Sequence, residues 1–252
     1  CGAPGVSSPF GEQQSATPAP TRAHRTLPNG DSCARVVSPD GRWMATLDRW
    51  AAQIHLTDLL GGERRTFPAV REPVACAFTP NGQMLVVANL LPAAQIQLDD
   101  DNPHIAAAVT LIEPAASEPA THVSLPDGSH SLRGLAISPD GSFAVVAHIV
   151  ANYRVPAWSA DRGGINRNAI SVISLSERAR WMTLGLDDEH RGAANPWAVA
   201  FSPDSRWLYV THAGTHELTI LDWPRLLATA AATRGGDEVH PAAAPGRWQE
   251  FG

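Results

Sequence analysis

One segment of about nine residues occurs four times in this chain, and the repeat constrains the fold more than any other feature. Each copy places Ser or Thr before Pro, then Asp or Asn, and in three copies Gly follows. Pro and Asp or Asn at the corners of a turn, between two β-rich runs, are typical of a tight antiparallel connection. Each copy therefore predicts a β-hairpin. The copies are Val37–Ala45, Phe78–Val86, Ile137–Val145 and Phe201–Tyr209.

A third β-rich run follows each hairpin, and a fourth follows in the first three copies. Four short antiparallel strands in each repeat form the blade of a β-propeller. The chain is therefore predicted to be all-β, with about three and a half to four propeller blades. We expect the first strand of each blade to be innermost and buried. The residues in question are Val36, Ala75–Ala77, Leu135–Ile137 and Val199–Phe201.

The spacing of the repeats is uneven, and the extra length falls at one position. The anchors Ser38, Thr79, Ser138 and Ser202 are separated by 41, 59 and 64 residues, whereas a bare blade needs roughly 40 to 45. The two insertions, 89–107 and 149–168, both lie between the second and third strands. Insertions at one position of a repeat project from one face, which is often the binding face.

Polar and aromatic residues collect at that same end of the predicted blades, opposite the Pro-Asp turns. We expect a ligand, metal or partner to bind there. The candidate binding residues are His130, Arg133, His148, Asn166, Asn168, Arg191, Asn195, Trp197, His212 and His216. For a protein partner, Arg133 and Trp197 are the expected anchors, because arginine and tryptophan often dominate interface energetics.

Two interpretations of the histidines remain open. His148 and His212 occupy equivalent positions at the end of the second strand in successive blades, and with His216 they offer imidazoles suited to copper, zinc or iron. On this interpretation, replacing His148 and His212 together would abolish metal uptake and leave the blades folded. The alternative has them as hydrogen-bonded residues that fix loop conformations.

Charge and motifs make several functions poor candidates. The formal net charge is −6 and no basic cluster exceeds a pair, so nothing favours binding to nucleic acid. The apolar stretches are under ten residues, which is short of a membrane span. The sequence contains no GxSxG, HExxH, Walker or GxGxxG motif. A catalytic role for this chain alone is therefore not favoured.

The hairpins and the runs Ile170–Ser174 and Leu218–Asp222 resemble the YVTN family of β-propeller repeats. Narrower motifs, His130–Gly134, Gly164–Ser171, Arg191–Trp197 and Thr211–Glu217, are similar to a bacterial subgroup in which the propeller precedes a di-haem cytochrome c peroxidase or MauG-like domain. The resemblance implies a seven-bladed ring in an exported, periplasmic or surface-exposed protein of the cell envelope, with a possible di-haem cytochrome partner. The sequence has no CxxCH motif, so no haem ligand is carried over and no cofactor is expected in this chain.

The two ends of the chain differ from the repeats. Cys1, followed by Gly2 and a Ser-, Pro- and Ala-rich stretch, predicts a lipidated cysteine and a flexible tether over residues 1–30. The alternative is a fragment that happens to begin with cysteine. Blades are predicted over 31–227. The Ala- and Leu-rich run after Pro224 predicts a short helix, and 228–252 is expected to be an irregular tail.

Three functions follow from these observations. The first is a non-catalytic binding or docking module of the cell envelope, with a protein or small-molecule ligand on the insertion face. The second is the propeller part of a di-haem peroxidase or MauG-like redox system. The third is a propeller hydrolase resembling a lactonase, which would require acidic residues and a metal converging at the channel.

Overall fold

The computed structural model describes residues 32–93, 104–154, 165–187, 192–232 and 246–250. They form β-strands and one α-helix. The strands are β1 Ser32–Val37, β2 Trp43–Asp48, β3 Gln53–Asp58, β4 Arg64–Pro68, β5 Pro73–Phe78, β6 Leu85–Asn89, β7 Ala108–Ile112, β8 Thr121–Ser124, β9 Ser129–His130, β10 Leu135–Ile137, β11 Phe143–Ala151, β12 Asn166–Ser174, β13 Ala179–Gly185, β14 Pro196–Phe201, β15 Trp207–His212, β16 Glu217–Asp222 and β17 Gly246–Glu250, and the helix is α1 Trp223–Ala232.

The strands form four antiparallel sheets in chain order. Sheet 1 has the order β1-β2-β3-β4, sheet 2 β5-β6-β7-β8, sheet 3 β10-β11-β12-β13 and sheet 4 β14-β15-β16-β17, while β9 adds to β11 of sheet 3. The first strands of successive sheets contact one another, β1 with β5, β5 with β10 and β10 with β14. The predicted all-β, propeller-like arrangement of four-stranded sheets is confirmed. The number of blades in a closed ring stays a prediction.

The repeated segment forms the predicted hairpin turn through the same hydrogen bonds in each copy. In the first copy, the Ser38 hydroxyl donates to the carboxylate of Asp40 and accepts the N–H of Trp43 at 2.8 Å. The N–H of Arg42 donates to the same Asp40 carboxylate at 3.0 Å. Gly41 takes a left-handed φ of 73°, which glycine adopts without strain. Serine and aspartate therefore recur because their side chains bond the turn's backbone.

The first strands are less buried than the sequence predicts. Val199 is buried, but Val36, 75–77, 135–137 and Phe201 are only half-buried, and Ala200 is exposed. In the described part of the chain each first strand pairs along one edge only, with the second strand of its own sheet. Its other edge has no strand partner among the described residues. The expectation of burial is therefore wrong for all of these residues except Val199.

The hydrophobic core lies instead between neighbouring sheets, at their second and third strands. Ala45 and Leu47 of β2 pack in one cluster with Leu85 and Val87 of β6. The same alternation joins sheet 2 to sheet 3 and sheet 3 to sheet 4. Because strand side chains alternate between faces, each middle sheet buries one face against the preceding sheet and the other against the following sheet.

The C-terminal part of the chain differs from its prediction in one respect. The short helix is confirmed as α1, which buries Trp223, Leu226 and Ala230 in the core between sheets 3 and 4. The tail 228–252 was expected to be irregular, but Gly246–Glu250 pairs with Glu217–Leu221 as the fourth strand of sheet 4. The expectation of an irregular tail is therefore wrong for Gly246–Glu250. These residues form a strand because they pair with β16, and their own sequence has no strand pattern. Within the described residues no helix has the length and apolarity to cross a membrane.

Candidate binding face

The sheets present two different ends, which we call the turn face and the loop face. The turn face carries the four Pro-Asp or Pro-Asn turns. The loop face carries the connections from second to third strands and from each sheet to the next. On the loop face, the described part of the insertion at 149–168 continues β11 and β12 as a longer hairpin, in which 149–151 pair with 166–168. Among the described strands, those of sheet 3 therefore extend further toward the loop face than those of sheets 2 and 4.

Arg133 and Trp197 form a stacked pair on the loop face, as the sequence suggested for an anchor. The guanidinium carbon of Arg133 lies 4.2 Å from the centroid of the Trp197 ring. The tryptophan remains 46% exposed. Such a cation–π contact contributes about 0.5–1 kcal/mol at an exposed site. The pair therefore holds a large aromatic surface in one orientation while leaving nearly half of it open to a partner.

A glycine brings the two halves of this pair together. A Cβ at Gly134 would lie 2.7 Å from the Trp197 carbonyl oxygen and 2.9 Å from the Ala198 Cα. No real side chain tolerates such contacts with backbone, so only glycine permits this close approach of sheet 3 to sheet 4. The position of the Arg133–Trp197 pair is thus set by the junction of two sheets.

Asn168 and Asp187 hold the described residues of the loop between sheets 3 and 4. Asn168 donates to the Asp187 carboxylate from its backbone N–H at 2.7 Å and from its side chain at 2.8 Å, and its side-chain oxygen accepts the N–H of Asn195 at 3.0 Å. Asp187 also accepts the N–H of Ala193 at 2.7 Å. Asn195 itself has a left-handed φ of 58°. Both asparagines therefore shape the loop that precedes Trp197.

His130 and Asn166 lie together on the extended part of sheet 3. His130 pairs with Ile149 as part of β9, and its Nδ1 is 2.8 Å from the hydroxyl of Ser131. Burial lowers the pKa of His130, while a hydrogen bond with the Asn166 side chain opposes the change. Asn166 is exposed. These two residues lie on the loop face, as expected.

His148 and His212 are not on the surface. His148 is fully buried, with Nε2 2.8 Å from the Ser171 hydroxyl, which in turn is 2.8 Å from that of Thr183. His212 is 2% exposed, with Nε2 2.8 Å from the Thr219 hydroxyl and Nδ1 2.9 Å from the Ala193 carbonyl oxygen. The expectation that both lie exposed at the rim is therefore wrong, and the prediction that the blades stay folded when both are replaced loses its premise.

Burial lowers the pKa of both rings. It lowers the pKa of His148 to about 4; the Ile149 carbonyl opposes this change, and the charges of His130 and Arg180 add smaller contributions that lower the pKa. Burial also lowers the pKa of His212, although the Ala193 carbonyl and the charges of Glu217 and Asp187 oppose it. Burial is the largest effect at both rings, because the charged form of a buried imidazole is poorly solvated.

The same cross-strand chain of polar groups recurs in sheet 2, where other residues supply it, and sheet 1 has its part between the third and fourth strands. In sheet 2 the Asn89 amide donates to Thr110 Oγ1 at 3.0 Å, and Thr110 Oγ1 is 3.0 Å from His122 Nδ1. In sheet 1 His55 Nδ1 is 3.0 Å from Thr66 Oγ1. The position of His148 and His212 is therefore a repeated structural position, which asparagine occupies in sheet 2. This supports the interpretation of the histidines as hydrogen-bonded structural residues.

The metal site stays a prediction, and the described residues do not supply a cluster of ligands for it. His216 is exposed with a left-handed φ of 57°, whereas His148 and His212 are enclosed in two different sheet interfaces. Among the described residues, no three His, Cys, Asp or Glu side chains are grouped so as to hold a metal ion. Arg191 and Cys1 lie outside the described residues.

A polar cluster around Asp127 was missed by the sequence reasoning. Asp127 accepts the N–H of Ile105 and the Tyr153 hydroxyl at 2.8 Å each, and Arg154 lies 2.8 Å from its second oxygen. Burial alone would raise the pKa of Asp127, but these bonds and the charges of Arg154 and His104 hold it below its usual value. The Pro-Asp-Gly sequence at 126–128 was a signal, since this triplet organises the other turns. The cluster forms only because distant loops meet.

Comparison with known proteins finds a partial similarity to an enzyme subunit and does not assign the chain to a family. No family model matches the chain, so the YVTN-type resemblance and its di-haem-associated subgroup stay predictions. Over 99 residues, 39% of this chain, it is 30% identical to the hydrazine synthase subunit beta of Kuenenia stuttgartiensis. That match spans only 26% of the relative's length.

Among solved structures, the chain is similar to Kuenenia stuttgartiensis hydrazine synthase, with a TM-score of 0.40 and 18% identity over 84% of this chain and 82% of that one. It is also similar to a Bacteroides fragilis protein provisionally described as a 6-phosphogluconolactonase, with a TM-score of 0.47 and 14% identity over 81% of this chain and 53% of that one.

Proposed function

We propose that this chain is a non-catalytic docking module of the cell envelope, which binds a protein partner through the loop face around Arg133 and Trp197. The observation that carries the proposal is the stacked, half-exposed Arg133–Trp197 pair, held at the junction of two sheets. Rigid aromatic groups presented in one orientation lose little entropy on binding. In the same proposal, a lipid on Cys1 would hold the module at a membrane surface.

The surroundings of the pair also suit a docking surface. Loops fixed by Asn168, Asp187 and Asn195 flank it, so the face needs little rearrangement when a partner arrives. The similarity to a subunit of hydrazine synthase supports a protein partner, because a subunit works in contact with another chain.

The redox alternative is a narrower form of this proposal, in which the partner is a di-haem cytochrome. It rests on the resemblance of the motifs at 130–134, 164–171, 191–197 and 211–217. The lactonase-like alternative receives less support, because the two histidines best suited to a central metal, His148 and His212, are enclosed within the sheets.

The first experiment identifies the partner. A photo-reactive amino acid is placed at position 197, or at 206 on the turn face as a control, in cells that express the protein. We expect position 197 to crosslink one specific protein and position 206 to leave it uncrosslinked. A haem absorbance band in the purified partner would support the redox form. Equal crosslinking from both positions would contradict the proposed face.

The second experiment measures affinity for the purified partner with matched variants. Arg133→Ala and Arg206→Ala each remove an exposed arginine that stacks on a tryptophan, at 4.2 Å on the loop face and 5.1 Å on the turn face. We expect Arg133→Ala and Trp197→Ala to weaken binding by about 1–3 kcal/mol. Arg206→Ala should have no effect. Loss of binding with Arg206→Ala alone would move the interface to the turn face.

A further inference from the structure

The two faces of sheet 4 differ in what covers them. Leu208 and Val210 of β15 belong to the core that sheet 4 shares with sheet 3. Because side chains alternate along a strand, Tyr209 lies on the opposite face, which we call the outer face of sheet 4. Ile220 of β16 pairs with Tyr209 and lies on the same face. The described side chains of β14, β15 and β16 on the outer face are Ala200, Trp207, Tyr209, Thr211, Leu218 and Ile220.

The outer face of sheet 4 has the composition of a contact between two sheets. None of its six described side chains carries a charge. Tyr209 and Ile220 stand in the register that Val145 and Val172 occupy in sheet 3, where both valines are fully buried in the core shared with sheet 4. Tyr209 and Ile220 are only half-buried, and the hydrophobic clusters of the described residues include no outer-face side chain. An open apolar face of this kind indicates a binding partner.

The outer face of sheet 1, which points away from sheet 2, is polar instead. One row across it consists of Arg35, Thr46, His55 and Thr66 on the four successive strands. His55 Nδ1 lies 3.0 Å from Thr66 Oγ1. Thr46 stands where sheet 2 has the core residue Val87. A stack of repeats stays soluble when the face at its end is polar. Sheet 1 has such a face and sheet 4 does not.

The contrast between these two faces favours a second copy of the chain that binds through its own sheet 4. A head-to-tail contact would bring the apolar face of sheet 4 against the polar row of sheet 1 and would bury Arg35 and Thr46 against apolar groups, which is costly. A contact about a two-fold axis brings the same apolar patch together from both copies. We propose that the chain forms a two-fold dimer through the outer face of sheet 4. This surface is distinct from the loop face, so the proposal does not depend on the docking function.

The size of the face sets the expected strength of the dimer. Strands β15 and β16 have six residues each, so the four-stranded sheet 4 offers a face of about 20 Å by about 19 Å, or about 400 Å² in projection. A standard interface buries about 800 Å² of accessible surface on each partner. The interface is therefore small, and we expect a reversible dimer with a dissociation constant of about 1–100 µM.

Sedimentation equilibrium of the full chain, over a concentration range that spans this dissociation constant, tests the proposal. Tyr209→Glu and Leu218→Glu should each raise the dissociation constant about tenfold or more, because each places a carboxylate from both copies in an apolar contact. Thr46→Glu adds the same charge to the outer face of sheet 1 and is the matched control. It should change the dissociation constant less than about twofold. An equal effect of Thr46→Glu would overturn the proposal.

Methyl NMR of the unmodified protein keeps the test decisive if a glutamate variant fails to fold. The methyl signals of Leu218 and Ile220 should shift as the protein concentration rises. Those of Val37 and Met44, on the outer face of sheet 1, should stay unchanged. A monomer at every concentration would overturn the proposal. Shifts at Val37 and Met44 together with Leu218 would show a head-to-tail contact and would also overturn it.

Discussion

Acidification should destabilise this protein through His148, and the effect can be isolated from other titrating groups. The folded protein holds His148 neutral with a pKa of about 4, against an ordinary value of 6.5. As the pH falls below 6.5, His148 becomes protonated in the unfolded chain but stays neutral in the folded chain. The contribution of His148 to stability is therefore complete above about pH 6.5 and is lost as the pH falls toward 4.

The size of the effect follows from the two pKa values. One pKa unit corresponds to about 1.4 kcal/mol, so the gap between 6.5 and about 4 corresponds to about 3 kcal/mol. This is a large share of the 5–15 kcal/mol by which typical domains are stable. The buried position, with Ser171 as its hydrogen-bond partner, is what prevents the ring from being solvated in its charged form.

The assay is urea denaturation at pH 7.0, 5.5 and 4.5 of the wild type and two variants. His148→Asn installs the residue that occupies the equivalent position in sheet 2, where Asn89 donates to Thr110. His216→Asn changes an exposed histidine and is the matched control. We expect His148→Asn to cost about 1–2 kcal/mol at pH 7, since it leaves space in a packed interface.

The decisive quantity is the difference in unfolding free energy between wild type and His148→Asn as a function of pH. It should shrink or reverse between pH 7.0 and 4.5, because only the wild type loses the contribution of His148. His216→Asn should track the wild type. If the wild type and His148→Asn lose stability in parallel over this range, the ring does not titrate as its burial requires and the reasoning is refuted.

Three further predictions concern turns, core and junction. Ser205 has a left-handed φ of 58° where the other copies of the turn have glycine. In the urea denaturation assay, Ser205→Gly should therefore raise the unfolding free energy by about 1 kcal/mol, and Gly41→Ser should lower it by a similar amount. Trp223 is 4% exposed and packs edge-on against Phe143 and Phe201. Trp223→Ala should therefore lower the unfolding free energy by about 3–5 kcal/mol. Thermal unfolding measures this loss, and an unchanged midpoint would contradict it. Gly134→Ala should weaken partner binding as well as stability, because a Cβ there collides with the backbone of Trp197; unchanged affinity would show that the Arg133–Trp197 geometry is not needed.

The repeat made the hairpins predictable because their determinants are local. The side chains of Ser38 and Asp40 bond the backbone of their own turn, and Gly41 adopts its left-handed φ without strain. Chemically similar residues at the same positions therefore give the same turn in all four copies. The strand Gly246–Glu250 was not predictable in this way, because its position depends on Glu217–Leu221, which lie far away in the sequence.

The sequence predicted the face that carries Arg133 and Trp197, but not the burial of His148 and His212. Arg133 and Trp197 meet on the expected face. His148 was placed at the rim because it ends the second strand in the repeat register, yet β11 runs on to Ala151 and the longer hairpin buries it. His212 does end its strand, but the loop held by Asp187 covers it with the Ala193 carbonyl. Such coverage depends on loops whose conformation no local pattern encodes.

Hydrogen–deuterium exchange of the chain, alone and with the partner found by crosslinking, tests the docking proposal most directly. Partner binding should slow exchange in the loop-face segments 131–135 and 195–199, which carry Arg133 and Trp197. The turns at 38–43, 79–84, 138–143 and 202–207 should exchange at unchanged rates. Protection of these turns, with no change at 131–135 and 195–199, would contradict the account.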